Sequence, residues 1–314
     1  MSEKTFIAVI CGPTASGKTA LGAELAKRLN GEIISADSMQ IYKGMDIASA
    51  KPTEEEKQGI PHHLMDFLPL NEPFSVADYV ELAHSCIKDV TGRDKLPIIV
   101  GGTGLYISSL INNITFDDTG SDPAFRAEMR EFAEMNGNEA LHKKLEEIDP
   151  ETAAKLHPNN VNRIIRALEV YRLSGATMTL AQEKSRLQES PYRSCIIMPD
   201  FPREKLYRRI DLRVDDMIKR GLVEEAREFF THSDYVTSAQ AIGCKELKPF
   251  LDGEKSLDEC VDRLKQATRN YAKRQLTWFN KMPDLHKIPV EDEADGGKIY
   301  EIAENLVKRY SFFL

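Results

Sequence analysis

No run of apolar residues in this chain approaches the roughly 20 needed to span a bilayer. The N-terminus, MSEKTFIAVI, also lacks the layout of a secretory signal, because its apolar run is short and leads directly into glycines. A protein without a membrane span is therefore expected, and a cytoplasmic one. Cysteine is sparse: Cys11, Cys86, Cys195, Cys244 and Cys260 are widely spaced, odd in number and form no C-x-x-C pair. That pattern excludes a disulfide framework and a cysteine zinc site, and leaves buried reduced thiols. His62 and His63 are adjacent rather than at ligand spacing, so they offer no metal site either. There is no internal repeat and no low-complexity segment. A net charge of −8 lacks the cationic excess of a general nucleic-acid binder.

What is present is a composition of 41% hydrophobic and 29% charged residues over 314 positions, which suits one large soluble domain or two of ordinary size. The charge is unevenly spread. From Arg263 to Lys281 the chain carries Arg263, Lys265, Arg269, Lys273, Arg274 and Lys281 with no acid, interleaved with Tyr271, Trp278 and Phe279. A second basic stretch, PREKLYRRIDLR, occupies 202–213. Either alone reads as a solvated helix face. Two of them on an acidic protein point to a surface for a polyanion.

Hydrophobic patterning predicts alternating strands and helices. Residues 5–11 read as a buried strand, Gly17 to Leu29 as a helix, EIISAD (32–37) as a second strand, and Ser75 to about Val90 as a capped helix. LPIIVGG (96–102) is a third strand, followed by a helix from TGLYISSLI. This alternation predicts an α/β fold: a P-loop-type parallel sheet flanked by helices, with ligands at the carboxyl ends of the strands. From about Phe116 to Arg193 the periodicity is helical throughout, with Pro123, Pro150 and Pro158 marking helix starts or breaks and Gly175 a C-terminal cap. The expected division is an α/β core of 1–116 and 194–314 around an all-helical insertion domain of 117–193. SCIIMPD (194–200) returns to a strand, and LHKI near 285 reads as the last one.

The chemistry concentrates at GPTASGKT, residues Gly12, Pro13, Thr14, Ala15, Ser16, Gly17, Lys18 and Thr19. The spacing G-x-x-x-x-G-K-[ST] after a strand and before a helix is a phosphate-binding loop, usually holding ATP or GTP. Its backbone N–H groups and helix N-terminus attract an anion, Lys18 adds a point charge, and Thr19 can ligate Mg²⁺. A nucleoside triphosphatase should also offer a strand ending in a metal-positioning Asp, yet PIIVGG ends in glycines. Asp37, closing the other early strand, reads as a loop cap, as an outer ligand of magnesium, or as a general base at the sheet edge. Thr103 follows two glycines and either caps the next helix or faces a ligand. Arg126, Arg163, Arg166 and Arg213 lie in helical segments, where a lone Arg most often makes a surface ion pair. Arg163 and Arg166 share a helix face.

Taken in order, GPTASGKT, ISADSMQIYKGMDIASAKP, PHHLMDF, FSVADYV, IIVGGTGLYISSL, NRIIRALEVYRLSG, RVDDMIKRGLVEEA, AIGCKEL and TRNYAKRQLTWF resemble the bacterial tRNA dimethylallyltransferase (tRNA isopentenyltransferase) family, from residue 7 to about 280. The resemblance implies transfer of a dimethylallyl group from dimethylallyl diphosphate to N6 of the adenine at tRNA position 37, beside the anticodon, in tRNAs reading codons that begin with U. It implies that the loop Gly12 to Thr19 holds the donor's diphosphate with Mg²⁺ on Thr19. Asp37 is implied as the base on the N6 amine, with Lys18, Thr103 and Arg213 also in the catalytic group. Ser38, Met39, Gln40, Thr103, Arg126, Asn162, Arg163 and Arg166 are implied contacts of the tRNA anticodon loop. A monomer is expected. The chain departs from the family pattern at Asn162, usually Gln, and at Cys244, usually Tyr. A P-loop small-molecule kinase and a non-catalytic nucleotide-dependent RNA-binding module are the alternative readings.

Overall fold

The computed structural model describes residues 4–116, 120–185, 188–231, 241–291 and 296–311. The expected boundary at 117 lies outside the described residues. Among the described residues the strands are β1 (Thr5–Cys11), β2 (Gly31–Ser35), β3 (His62–His63), β4 (Leu96–Gly101), β5 (Tyr192–Asp200) and β6 (Leu285–Pro289). These six form one parallel sheet in the order β3-β2-β4-β1-β5-β6. The middle strands read as near-continuous apolar runs because both of their faces are covered.

After the short α2 (Glu54–Lys57), α3 (Val76–Gly92) and α4 (Gly104–Ile111) cover one face, and their Tyr79, Ala83, Ile87, Ile107 and Leu110 join Val9, Ile34 and Ile99 in an apolar layer. The other is covered by α1 (Lys18–Arg28) and the C-terminal Gly296–Ser311 helix, where Leu21, Leu25, Ala303 and Val307 meet Ile10, Ile33 and Ile98. Ser75 caps α3 as expected: its hydroxyl accepts the Asp78 N–H while Asp78 accepts the Ser75 N–H at 2.7 Å.

Two expectations need correction. The second strand ends at Ser35, not Asp37: Ala36 N–H still makes the ladder bond to the Val100 carbonyl, but the Ala36 carbonyl accepts from Thr103, beyond the end of its neighbour strand, and the chain leaves the sheet. The fifth begins at Tyr192 rather than Ser194, since Tyr192 and Arg193 pair with Thr5 and Phe6. His62 and His63, set aside as a metal site, form the edge strand β3 beside Ile33 and Ile34. There His63 Nε2 contacts Glu32 at 2.7 Å.

The chain divides into two compact units, residues 1–111 with 190–314, and 112–189. In the first, helices α10 (Arg203–Lys219), α11 (Leu222–Phe229), α12 (Cys244–Leu251) and α13 (Leu257–Phe279) enclose a second core with Ile41, Tyr42 and Met45 from the segment after β2. The smaller unit is helical among its described residues: α5 (Pro123–Asn136), α6 (Asn138–Ile148), α7 (Pro150–Lys155), α8 (Val161–Ser174) and α9 (Met178–Ser185). Pro123 and Pro150 occupy first-turn positions after the capping residues Asp122 and Asp149, and Gly175 closes α8 in the left-handed conformation. Leu141, Leu145, Ala153, Ile164 and Leu168 give this unit its own apolar core.

Candidate active site

The glycine-rich loop leaves β1 and enters α1 at the carboxyl edge of the sheet. Gly17 holds φ of +77° at the helix N-cap, a conformation open to glycine and costly for other residues. The Thr14 N–H donates to Gln275 Oε1 at 2.9 Å, the Ala15 carbonyl accepts from Arg209 Nε at 2.9 Å, and the Lys18 ammonium reaches the Pro13 carbonyl at 3.2 Å. The Ser16 hydroxyl is buried in this loop and makes no hydrogen bond among the described residues. An orphaned buried donor beside a helix N-terminus and a lysine suits an anion that accepts from it.

Lys18 is under strain of charge. Burial, reinforced by the like charge of Arg213, pushes its pKa down to about 8, against the opposing pull of Asp37. Arg213 on α10 is affected in the same way: burial lowers its pKa while Glu56 and Asp37 support its charge, and its Nη2 donates to the Ala50 carbonyl at 3.4 Å. Lys18, Asp37 and Arg213 thus feel one another's fields in one place.

Asp37 and Thr103 stand beyond the ends of β2 and β4, neighbouring strands of the sheet. Their loops are laced together, with the Thr103 N–H on the Ala36 carbonyl at 3.1 Å and the Ser38 N–H on Thr103 Oγ1 at 3.0 Å. Gly101 makes this approach possible, since a Cβ there would lie 2.1 Å from the Ala36 carbonyl oxygen. Asp37 Oδ1 accepts from Met39 N–H at 2.9 Å and from Gln40 N–H at 3.4 Å, an Asx turn that fixes the carboxylate. Oδ2 has no hydrogen-bond partner among the described residues. Gln40 is held in turn, its Nε2 donating to the carbonyls of Ser49 and Ala50 at 3.3 and 3.1 Å.

Two residues that the sequence does not mark as part of the site complete the edge, both on α13. Gln275 is 5% exposed; beyond its bond to Thr14 it donates to the Gly102 carbonyl at 2.9 Å, clipping the glycine-rich loop to the loop of Thr103. Tyr271, noted before only as an aromatic in a basic run, has its hydroxyl in hydrogen-bond reach of Thr103 and Gln275, and burial together with Asp37 raises its pKa. Position 275 stands one turn from Tyr271 on the same helix face, the one signal that could have joined the two.

Among the described residues no cluster of three or more His, Cys, Asp or Glu could cage a metal ion. The fit to Mg²⁺ is of another kind: the half-buried Thr19 hydroxyl beside an anion-seeking loop suits an ion drawing most of its ligands from phosphate oxygens and water.

The remaining expected contacts lie in the 112–189 unit. Asn162 and Arg163 are exposed on the first turn of α8. Arg126 and Arg166 turn instead to Glu169, fully buried in α8: Arg126 Nε and Nη2 donate to its two oxygens at 2.7 and 2.9 Å, and Arg166 Nη1 at 2.5 Å. Burial alone would raise the Glu169 pKa, but these bonds and the Asp122 N–H hold it down at about 2. Cys244, in the larger unit, is fully buried at the start of α12, in the second core with Ile41, Tyr42 and Met45. Of the cations on α13, Lys265 pairs with Asp215 at 2.6 Å and Arg269 with Asp211 at 2.6 Å, both acids from α10. The acid-free run is therefore partly neutralised across the helix interface, while Arg263, Lys273 and Arg274 stay exposed.

Comparison with known proteins extends this picture. The tRNA dimethylallyltransferase of Acetivibrio thermocellus is 48% identical over 98% of this chain and 97% of its own length. That of Geobacillus thermodenitrificans is 52% identical over 90% of each. Among solved structures, the tRNA isopentenylpyrophosphate transferase of Bacillus halodurans superposes with a TM-score of 0.71 at 42% identity, covering 98% of both chains. A eukaryotic dimethylallyltransferase acting on tRNA superposes with a TM-score of 0.83 at 30% identity, over 97% of this chain and 80% of that one. A family model described as IPP transferase matches residues 40–282, and with full-length relatives at about half identity the chain belongs to that family.

Proposed function

We propose that the protein is a tRNA dimethylallyltransferase, moving the dimethylallyl group of dimethylallyl diphosphate onto N6 of the adenine beside the anticodon, in tRNAs reading codons that begin with U. The observation that carries the reading is the meeting of an anion-seeking loop and a braced carboxylate, Asp37, at the ends of neighbouring strands, in a chain whose relatives bear that name.

An exocyclic adenine amine is a weak nucleophile because its lone pair is delocalised into the ring. The allylic carbon compensates by developing cationic character as the diphosphate departs. Loop N–H groups, Lys18 and Arg213 stabilise charge on the leaving group. Mg²⁺, which Thr19 would help hold, adds to that stabilisation when bound. Ser38, Met39, Gln40 and Thr103 line the edge where the amine is positioned, and Asp37 accepts its proton as the C–N bond forms. The target base must leave its stack to reach this edge. The exposed cations of α13 meet phosphates of the tRNA, and Asn162 and Arg163 of the helical unit are, taken by themselves, contacts of its anticodon loop. Among the described residues no helix is long and apolar enough to cross a membrane, and the reading places a monomer in the cytoplasm.

Incubation of the protein with unmodified tRNA and labelled dimethylallyl diphosphate, without ATP, is expected to label the tRNA, and Asp37→Asn to retain tRNA binding while losing most turnover. Transfer from γ-labelled ATP to a small molecule, with none from the prenyl donor, would establish the kinase instead. Binding of tRNA without turnover of either donor would leave a binding module.

A further inference from the structure

The segment between β2 and α3 carries Asp37 and Gln40, and one distant carboxylate grips its far side. Glu225, half-buried on α11, accepts three consecutive backbone N–H groups: Asp46 at 3.0 Å and Ile47 at 2.8 Å on Oε2, and Ala48 at 2.7 Å on Oε1. Successive amides aimed at one anion form a nest, and a carboxylate meets all three donors with its two oxygens through charge-assisted bonds. The next two carbonyls along the chain, Ser49 and Ala50, are those that hold the Gln40 amide. At its other end that amide meets Ser35 Oγ through Oε1 at 3.4 Å. Gly243, at the start of α12, closes the same turn from outside, where a Cβ would lie 3.2 Å from the Ala48 Cβ.

We infer that Glu225 is a positioning residue: it fixes the 46–50 turn so that the Ser49 and Ala50 carbonyls present the Gln40 side chain to the target base. The inference rests on the assignment of Gln40 to the tRNA site. Glu225 touches neither the glycine-rich loop nor, among the described residues, any part of the sheet edge. Its influence on the target base passes through Gln40; the Ala50 carbonyl also meets Arg213 Nη2, at 3.4 Å, on the donor's side of the site.

The test pairs two readouts. In the first, backbone hydrogen exchange is measured on the free protein. Glu225→Gln, which keeps the volume but turns an N–H donor toward the nest, is expected to speed exchange at 46–48 and 50 with the sheet amides unchanged. The second is a double-mutant cycle on kcat/KM for tRNA. Glu225→Gln is expected to lower it by about tenfold, in keeping with a lost charged hydrogen bond, but by less than about twofold when Gln40 is already Ala. Glu225→Asp, which retains the charge on a shorter stem, should fall between wild type and Glu225→Gln, and serves in the same cycle if the amide variant does not fold. Unchanged exchange at 46–48, or equal losses with and without Gln40, would overturn the inference; a merely structural role predicts the second. If wild-type protein transfers no prenyl group, the functional reading fails, and the exchange experiment still decides whether Glu225 holds the turn.

Discussion

At the scale of single residues, the site depends on groups whose charge is held under tension. Lys18 is pushed down to about 8 by burial and by Arg213, so it loses its proton near that pH rather than near its usual 10.5. Only the protonated form attracts diphosphate. Donor kcat/KM should therefore be flat below about pH 7.5 and fall as pH rises through about 8, while Lys18→Ala should show a low and flat profile; titrating initial rates from pH 6 to 10 reads both. A limb that persists in Lys18→Ala would assign the titration elsewhere. Gln275 makes a different demand, since its Oε1 must accept from Thr14 while its Nε2 donates to Gly102. Glu at this position can do only the first and Ala neither. Leaving buried backbone groups unpaired costs about 1–3 kcal/mol each, so thermal unfolding should rank stability as wild type, then Gln275→Glu, then Gln275→Ala, with a raised KM for the donor in both variants.

At the scale of elements, the strands and the loop–helix junctions were legible because each rests on local chemistry. Uninterrupted apolar runs made β1 and β4 plain, Ser75 announced α3, and the glycine spacing announced the turn into α1. Elements that depend on distant partners were not legible. Two residues have no periodicity, so β3 became visible only as His62 and His63 paired with Ile33 and Ile34. The cationic face of α13 is narrower than its composition for the same reason: Asp211 and Asp215 are spaced one turn apart on α10 and meet Arg269 and Lys265 through tertiary packing that no window on α13 contains. Asp37 and Thr103 could be placed at strand ends, but their lacing through Ala36 and Ser38 required the strand order. This division of the α13 cations makes a comparison possible within one helix. Neutralising Lys273 and Arg274 together should weaken tRNA binding and reduce the slope of log K against log salt by about 2 × 0.7–0.9, as expected for two lost phosphate contacts. Neutralising Lys265 and Arg269, already committed to acids, should leave that slope nearly unchanged and instead lower thermal stability. Equal slopes for the two pairs would mean that exposure does not sort the phosphate-binding cations.

At the scale of the whole molecule, two compact units with separate cores should respond separately to separate perturbations. Diphosphate with Mg²⁺ binds, on our reading, at the sheet edge of the larger unit, so calorimetry should show mass-action stabilisation of that unit's transition alone. Glu169 belongs to the smaller one, and its pKa of about 2 lies below the ordinary 4.5. A carboxylate with a depressed folded-state pKa contributes stability that is fully present above its unfolded value and is lost as it becomes protonated. The transition of the 112–189 unit should therefore weaken as pH falls from about 4.5 toward 2. Glu169→Gln should lower that transition by about 2 kcal/mol at neutral pH, since two guanidinium groups lose their charged acceptor, and should remove its share of the acid dependence. The same substitution releases Arg126 and Arg166 from their carboxylate. If those arginines are held in place for tRNA by Glu169, tRNA affinity should fall with the transition while the diphosphate-induced shift of the larger unit stays intact. Loss of that shift in Glu169→Gln would show that the units do not respond independently, and that the donor site relies on the helical unit for more than its grip on tRNA.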